Sequence, residues 1–151
     1  MEFRKATEED IPILTEISKS AFHSDVSVGG KEKDGPPGYD SCQWYRDMMK
    51  ENHLFTYTDH KEIIGGAVLF TEKSNLYIGR IFISPRFFRK GYGQLLMQEI
   101  ENYFPDINKI KLDTPVWNSR TNRFYRKCGY TEINRDQEAV YYERDGSQLL
   151  C

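Results

Sequence analysis

One stretch limits what this chain can fold into more than any other. From Leu76 to Pro105 it reads LYIGRIFISPRFFRKGYGQLLMQEIENYFP. An apolar strand-like run ends at Pro85. A glycine-marked turn, Arg89-Lys90-Gly91-Tyr92-Gly93, follows. Leu95, Leu96, Ile100, Tyr103 and Phe104 then recur at helical spacing until Pro105 stops the helix. A strand that feeds straight into an amphipathic helix must fold the helix's apolar stripe back onto the strand's own sheet. That excludes an all-helical bundle and a pure β-sandwich.

The turn also carries chemistry. Gly91 and Gly93 allow positive φ and close approach of the backbone. The first turn of the following helix presents unpaired N–H groups and the positive end of its dipole. Arg89 and Lys90 add formal charge at the same place. Together these suit a phosphate-type anion. The spacing is not that of a Rossmann dinucleotide loop, because a third glycine is absent, nor of a P-loop, because no Gly-Lys-Ser/Thr follows. Taken alone, RKGYG also reads as a tight turn with no ligand.

The rest of the chain completes a mixed α/β pattern. Phe3–Thr7 reads as a strand. A helix then runs to about Phe22 on Ile13, Leu14, Ile17 and Ala21, capped by Thr7 or Asp10. Gly29–Asp40, GGKEKDGPPGYD, is a long irregular loop of the kind that often serves function. Ser41–Glu51 reads as a short helix. His53–Tyr57, Ile63–Thr71 and Leu76–Ser84 form an antiparallel meander. Lys109–Thr114 is a strand, and Asn118–Lys127 is a helix closed by Gly129. Tyr130–Asn134 and Ala139–Arg144 make a closing strand pair. The expectation is one domain over residues 1–151, with about seven strands in a single mixed sheet and about four helices.

Composition narrows the partners. With 38% hydrophobic and 29% charged residues among 151, the chain can bury a core without metal or disulfide. Its net charge of −2 argues against nucleic acid as a partner. No apolar run is long enough for a membrane helix, and MEFRKATEED has no secretory h-region. Cys42, Cys128 and Cys151 are odd in number and lack metal-ligand spacing. A reduced, cytoplasmic protein without a metal site is expected.

Ser84-Pro85, Arg89-Lys90-Gly91-Tyr92-Gly93 and Leu95-Leu96 resemble the acyl-CoA-binding motif of the GNAT superfamily of N-acetyltransferases. The family's Q/R-x-x-G-x-G/A falls here on Phe88, Gly91 and Gly93, with Phe88 departing from Gln or Arg. A second stretch, Asn118 followed by Phe124-Tyr125-Arg126-Lys127-Cys128-Gly129-Tyr130, resembles the family's other signature. The resemblance implies a GNAT-like fold splayed between strands 4 and 5, with acetyl-CoA in the cleft. It assigns the exposed edge Ile81, Phe82 and Ile83 to the pantetheine arm. The turn Arg89, Lys90, Gly91, Tyr92 and Gly93 goes to the pyrophosphate, and Asn118 to a pantetheine hydrogen bond. Tyr125 becomes the acid that protonates the leaving thiolate. A phenol suits that role, since its proton affinity is close to that of a thiolate.

The implied reaction is direct attack of a primary amine, from a small molecule or a peptide, on the thioester. The alternative is a non-catalytic acyl-CoA-binding module. The resemblance also allows a homodimer. For the general base, Asp113 beside the expected splay is the candidate. Some family members carry a Glu near the start of strand 4, where this chain has Tyr77. His23 and Asp25 end the first helix beside the long loop and read as a solvated helix end, with contact to the substrate as the alternative. Arg120, Arg123, Arg126 and Lys127 read as a solvated face or as contacts to the CoA nucleotide.

Overall fold

The computed structural model describes residues 1–31 and 33–146, so Glu32 of the long loop and Cys151 lie outside the described residues. Seven strands form one sheet: β1 (Glu2–Lys5), β2 (Leu54–Asp59), β3 (Glu62–Glu72), β4 (Asn75–Ile83), β5 (Lys109–Pro115), β6 (Thr131–Arg135) and β7 (Ala139–Asp145). Their order is β1-β2-β3-β4-β5-β7-β6, antiparallel except between β4 and β5. Among the described residues four α-helices join them: α1 (Ile11–His23), α2 (Cys42–Lys50), α3 (Tyr92–Tyr103) and α4 (Ser119–Lys127).

Both candidate caps of the first helix are used. Thr7 opens a single 3-10 turn over Glu8–Asp10, and α1 starts after Asp10 with Pro12 in its first turn. The Asp10 carboxylate accepts the Thr7 amide at 2.8 Å and Arg4 at 2.7 Å. A proline near a helix start gives up only an N–H that has no helical acceptor there.

The sheet carries a core on each face. On one face α3 buries Leu96, Met97 and Ile100, and α4 buries Tyr125, against Leu76, Ile78, Ile110, Leu112, Val140 and Tyr142. On the other, α1 and α2 bring Ile11, Leu14, Ala21 and Tyr45 onto Leu54, Val68 and Phe82. Each of the largest buried side chains contributes about 1.5–3 kcal/mol through burial. In β5 burial alternates strictly, leaving Lys109, Lys111, Asp113 and Pro115 exposed.

Two irregularities in β4 open the sheet. Between the pairs Leu69–Ile78 and Val68–Arg80 the register slips, and Gly79 is the extra residue. The bulge inverts the side-chain alternation: Leu76 and Ile78 face the α3 core before it, Ile81 and Ile83 after it. A Cβ on Gly79 would stand 2.7 Å from Phe70 Cε2, so a glycine fits there. The parallel pairing with β5 covers only Asn75–Lys109, Leu76–Ile110 and Tyr77–Lys111. Beyond Tyr77 the strands part, and the rest of β4 pairs with β3 alone. This is the splay implied by the family resemblance. It leaves Ile81–Ile83 with a free main-chain edge.

Candidate active site

The glycine turn lies at the end of that free edge. A short 3-10 turn, Pro85–Phe87, leads into it, and Arg89 and Gly91 take left-handed φ of 64° and 82°. The first helical bond of α3 runs from Leu95 N–H to Gly91 O at 3.2 Å. The amides of Tyr92, Gly93 and Gln94 precede it and have no helical acceptor. A Cβ on Gly91 would meet no atom within 4 Å, so the turn faces open space. Unpaired first-turn N–H groups beside open space are the kind of main-chain site that receives an anion.

The two glycines do different jobs, which corrects the sequence reading. Only Gly91 needs positive φ. Gly93 is helical, and a Cβ there would stand 3.0 Å from Phe124 Cε1. Gly93 therefore sets the approach of α3 to α4. The Tyr92 hydroxyl donates to Asp59 Oδ2 at 2.8 Å, away from the turn, which leaves Tyr92 its amide to offer. Arg89 and Lys90 are exposed. Phe88, at the departing motif position, lies 4.8 Å from the Arg120 guanidinium, so a cation from α4 covers its ring.

Tyr125 comes from α4, next to the splay. Its side chain is 6% exposed, and its hydroxyl has no hydrogen-bond partner among the described residues. The other buried tyrosines are all engaged: Tyr45 with Ser18 at 2.5 Å, Tyr57 with Met1 Sδ at 2.9 Å, Tyr130 with Glu101 at 3.4 Å and Tyr142 with Asn122 at 2.7 Å. Burial, and then the neighbouring Cys128, Asp113 and Asp25, push the Tyr125 phenol well above its ordinary pKa. It stays protonated across neutral pH.

Asn118 is the N-cap of α4: its Oδ1 accepts the Thr121 amide at 3.1 Å, and the residue is 1% exposed. Its side chain also reaches the Asp25 carboxylate. Asn118 and Tyr125 lie two turns apart on the buried face of α4. Asp113 is exposed on β5 and accepts the Tyr77 hydroxyl on Oδ2. The residue in place of the family's strand-4 Glu thus engages the carboxylate that sequence nominates as the base.

The acceptor side holds residues that sequence reading undervalues. Asp25 is not a solvated helix end. It sits in a 3-10 turn, Ser24–Val28, with its side chain 17% exposed beside Asn118 and 3.9 Å from Arg120. Burial raises its pKa against the pull of Arg120 and Asn118. Arg120 fastens this turn to α4 by donating to Ser24 Oγ at 3.0 Å and Ser27 Oγ at 3.2 Å. His23 bonds the Tyr39 hydroxyl at 2.8 Å. Arg80 of β4, which no motif marks, lies 4.0 Å over Trp44 of α2 and donates to Pro37 O at 2.9 Å. The long loop is therefore held at one end by Arg120 and near the other by Arg80.

A strand splayed from its neighbour, an amide-lined turn at its end and a tyrosine on the opposite helix form one connected arrangement. The family model of the Acetyltransferase (GNAT) family matches residues 14–130, which span all three. The chain belongs to the GNAT family. A curated relative, the uncharacterized N-acetyltransferase YesJ of Bacillus subtilis, is 23% identical over 109 residues, covering 62% of this chain. The match spans 61% of that relative's length.

Solved structures share the fold at low identity. The PaiA N-acetyltransferase of Thermoplasma acidophilum, in complex with coenzyme A, superposes with a TM-score of 0.81 at 18% identity, over 95% of this chain and 98% of that one. The ribosomal-protein-S18-alanine N-acetyltransferase of Escherichia coli gives 0.76 at 14%, over 95% and 92%. The spermidine N-acetyltransferase of Vibrio cholerae, in complex with CoA and spermine, gives 0.75 at 18%, over 99% and 98%.

Proposed function

We propose that the protein is an acetyl-CoA-dependent N-acetyltransferase acting by direct attack of a primary amine, from a small molecule or a peptide, on the thioester. The free hydroxyl of Tyr125 carries this reading. It tops a buried side chain, makes no bond within the protein and is not itself sealed off, since Arg144 Nε is the buried side-chain polar atom left without a partner among the described residues; the hydroxyl is therefore available to donate its proton to a bound thioester.

Acetyl-CoA supplies an acetyl group activated as a thioester and a thiol as leaving group. Ile81, Phe82 and Ile83 offer their free edge to the pantetheine arm, with Asn118 as a hydrogen-bond partner beside it. Arg89, Lys90, Gly91, Tyr92 and Gly93 bind the pyrophosphate, chiefly through main-chain amides. An amide of the Phe82–Ile83 edge donates to the carbonyl oxygen as negative charge develops on it. Tyr125 protonates the departing sulfur. Cys128 is no rival nucleophile: burial raises its thiol to about 11, so little thiolate exists at neutral pH.

The location that fits this reading is the cytoplasm. Cys42 and Cys128 are unpaired, and among the described residues no helix is long and apolar enough to cross a membrane.

The test is thiol release from acetyl-CoA in the presence of spermidine, an alanyl-N-terminal peptide or glucosamine, with mass detection of the product. Acetylation of at least one amine above background hydrolysis is expected. Binding of CoA with no acetylated amine would favour the module.

A further inference from the structure

We infer that Asp25 is the proton acceptor for the incoming amine, a role that rests on the acetyltransfer reading above. Three placements lead to it. The 3-10 turn that bears Asp25 is docked on the start of α4: a Cβ on Gly29 would stand 2.6 Å from Trp117 O, and Arg120 bonds Ser24 and Ser27. The Asp25 carboxylate therefore lies beside Asn118, on the α4 face that also carries Tyr125. Its ion pair is also loose. Asn118 reaches the carboxylate, but Arg120 stands 3.9 Å away and spends its donors on serines, whereas Asp10 and Glu101 hold their arginines at 2.7 and 3.2 Å. Finally, the competing groups are committed: Asp113 accepts from Tyr77, and His23 bonds Tyr39.

The groups that face Asp25 are Arg120, Asn118 and Tyr125 from the α4 segment, with His23 in its own segment; Asp113 of β5 and Tyr77 of β4 act on Tyr125 from across the splay. Arg120 is the one cation in this set. It draws Asp25 toward the charged form while burial opposes it, with burial the larger effect.

The step balances as follows. The amine enters as an ammonium and gives one proton to Asp25, which returns it to water. The nitrogen lone pair forms the N–C bond as the C–S bond breaks. The nitrogen loses its second excess proton to water. Tyr125 gives its proton to the sulfur and recovers one from water. The sum is ammonium plus thioester to amide, thiol and one released proton.

The test is Asp25→Asn, assayed with the best acceptor among spermidine, the alanyl peptide and glucosamine. At about pH 7, kcat/KM should fall by ~10² or more, as for loss of a general base. The deficit should shrink to ~10-fold or less at about pH 9.5, where much of an amine of pKa ~10 arrives already neutral. CoA affinity by calorimetry should match wild type at both pH values, which also reports folding. Carboxyl-carbon NMR of the free protein, with the Asp25 signal identified by its loss in Asp25→Asn, should show a midpoint above the ordinary Asp range.

Arg120→Gln separates support from chemistry. If Asp25 merely anchors the turn, Arg120→Gln and Asp25→Asn will lose activity alike and by the same factor at every pH. That result, or undiminished kcat/KM in Asp25→Asn, overturns the assignment while leaving acetyltransfer intact. Failure of wild type to acetylate any of the three amines instead overturns the reading on which it rests.

Discussion

The two walls that the proposed function gives the β4–β5 cleft, one for the nucleotide and one for the acceptor, are built from different materials. The nucleotide wall is main chain: a free strand edge at Ile81–Ile83, a left-handed residue at Gly91 and the first-turn amides of α3. The acceptor wall is side chain: Arg80 on Trp44 and Pro37, Arg120 on Ser24, Ser27 and Phe88, and Asp25 beside Asn118. Main-chain recognition tolerates changes of side chain and suits a constant ligand such as CoA. A wall of side chains can be altered one residue at a time, which suits an acceptor that differs among enzymes of one fold. Tyr125 stands at the seam, where the proposed reaction assigns it the proton for the leaving sulfur rather than a place in either wall.

The largest expected effect is therefore at the seam. Tyr125→Phe keeps the ring and removes a hydroxyl that has no partner to lose. The kcat should fall by ~10² to 10⁴, the span of general acid catalysis. CoA affinity should hold, because the proton is needed mainly in the transition state. Steady-state thiol release beside calorimetry measures both. A comparable loss of CoA affinity would move Tyr125 from the seam to the nucleotide wall.

Next comes the nucleotide wall itself. Gly91→Val places a β-branched residue at φ 82°, a region such residues almost never occupy. Wild type at ~100 times its dissociation constant for CoA should gain about 2.7 kcal/mol of stability, and the variant should lose nearly all of that gain. Thermal shift with and without CoA gives the difference. Retained stabilisation would mean that the turn's geometry is not what binds.

This division also explains how much was legible from sequence. Seven strands and four helices could be read because glycines, prolines and periodicity mark main-chain geometry directly, whereas the splay and the Ile81–Ile83 edge came only with the family resemblance. The anion-binding turn was visible in the residues themselves, down to Gly91. Gly93 was misread, since a glycine demanded by the nearness of Phe124 looks the same in sequence as one demanded by φ. The acceptor wall was largely invisible. Arg80 and Pro37, or Arg120 and Ser27, are far apart in the chain, and nothing local announces their contact. Asp25 follows a helix and looked solvated, because the surface that buries it arrives only with α4. The bulge at Gly79 had a signal, a glycine inside a strand pattern.

A smaller effect tests the acceptor wall. Arg80→Ala removes the stacking on Trp44, worth about 0.5–2 kcal/mol, and the bond to Pro37 O. The loop should loosen while Ile81–Ile83, on the same strand, keeps its pairing with β3. The expected result is a rise of ~10-fold in KM for the amine, with CoA affinity changed less than ~2-fold, since about 1.4 kcal/mol corresponds to ten-fold. Kinetics with both substrates varied would show it. A larger change for CoA than for the amine would show that the walls are not independent.

The smallest effect separates the two glycines of one turn. In a helix, Gly→Ala ordinarily gains up to ~1 kcal/mol. At Gly93 the new Cβ would meet Phe124 Cε1 at 3.0 Å and Cζ at 3.2 Å, closer than ordinary van der Waals contact. Relief requires the Phe124 ring to move, and that ring already packs on Tyr125 with centroids 5.4 Å apart. The crowding should thus outweigh the helix gain, leaving a net loss of about 1 kcal/mol, at the lower end of overpacking. The CoA-dependent stabilisation should remain, because the Gly93 amide is unchanged and its φ was never left-handed. Denaturant unfolding with and without CoA decides the matter. A more stable Gly93→Ala would mean that α3 and α4 have slack between them. Loss of the CoA response without loss of stability would return Gly93 to the nucleotide wall, beside Gly91.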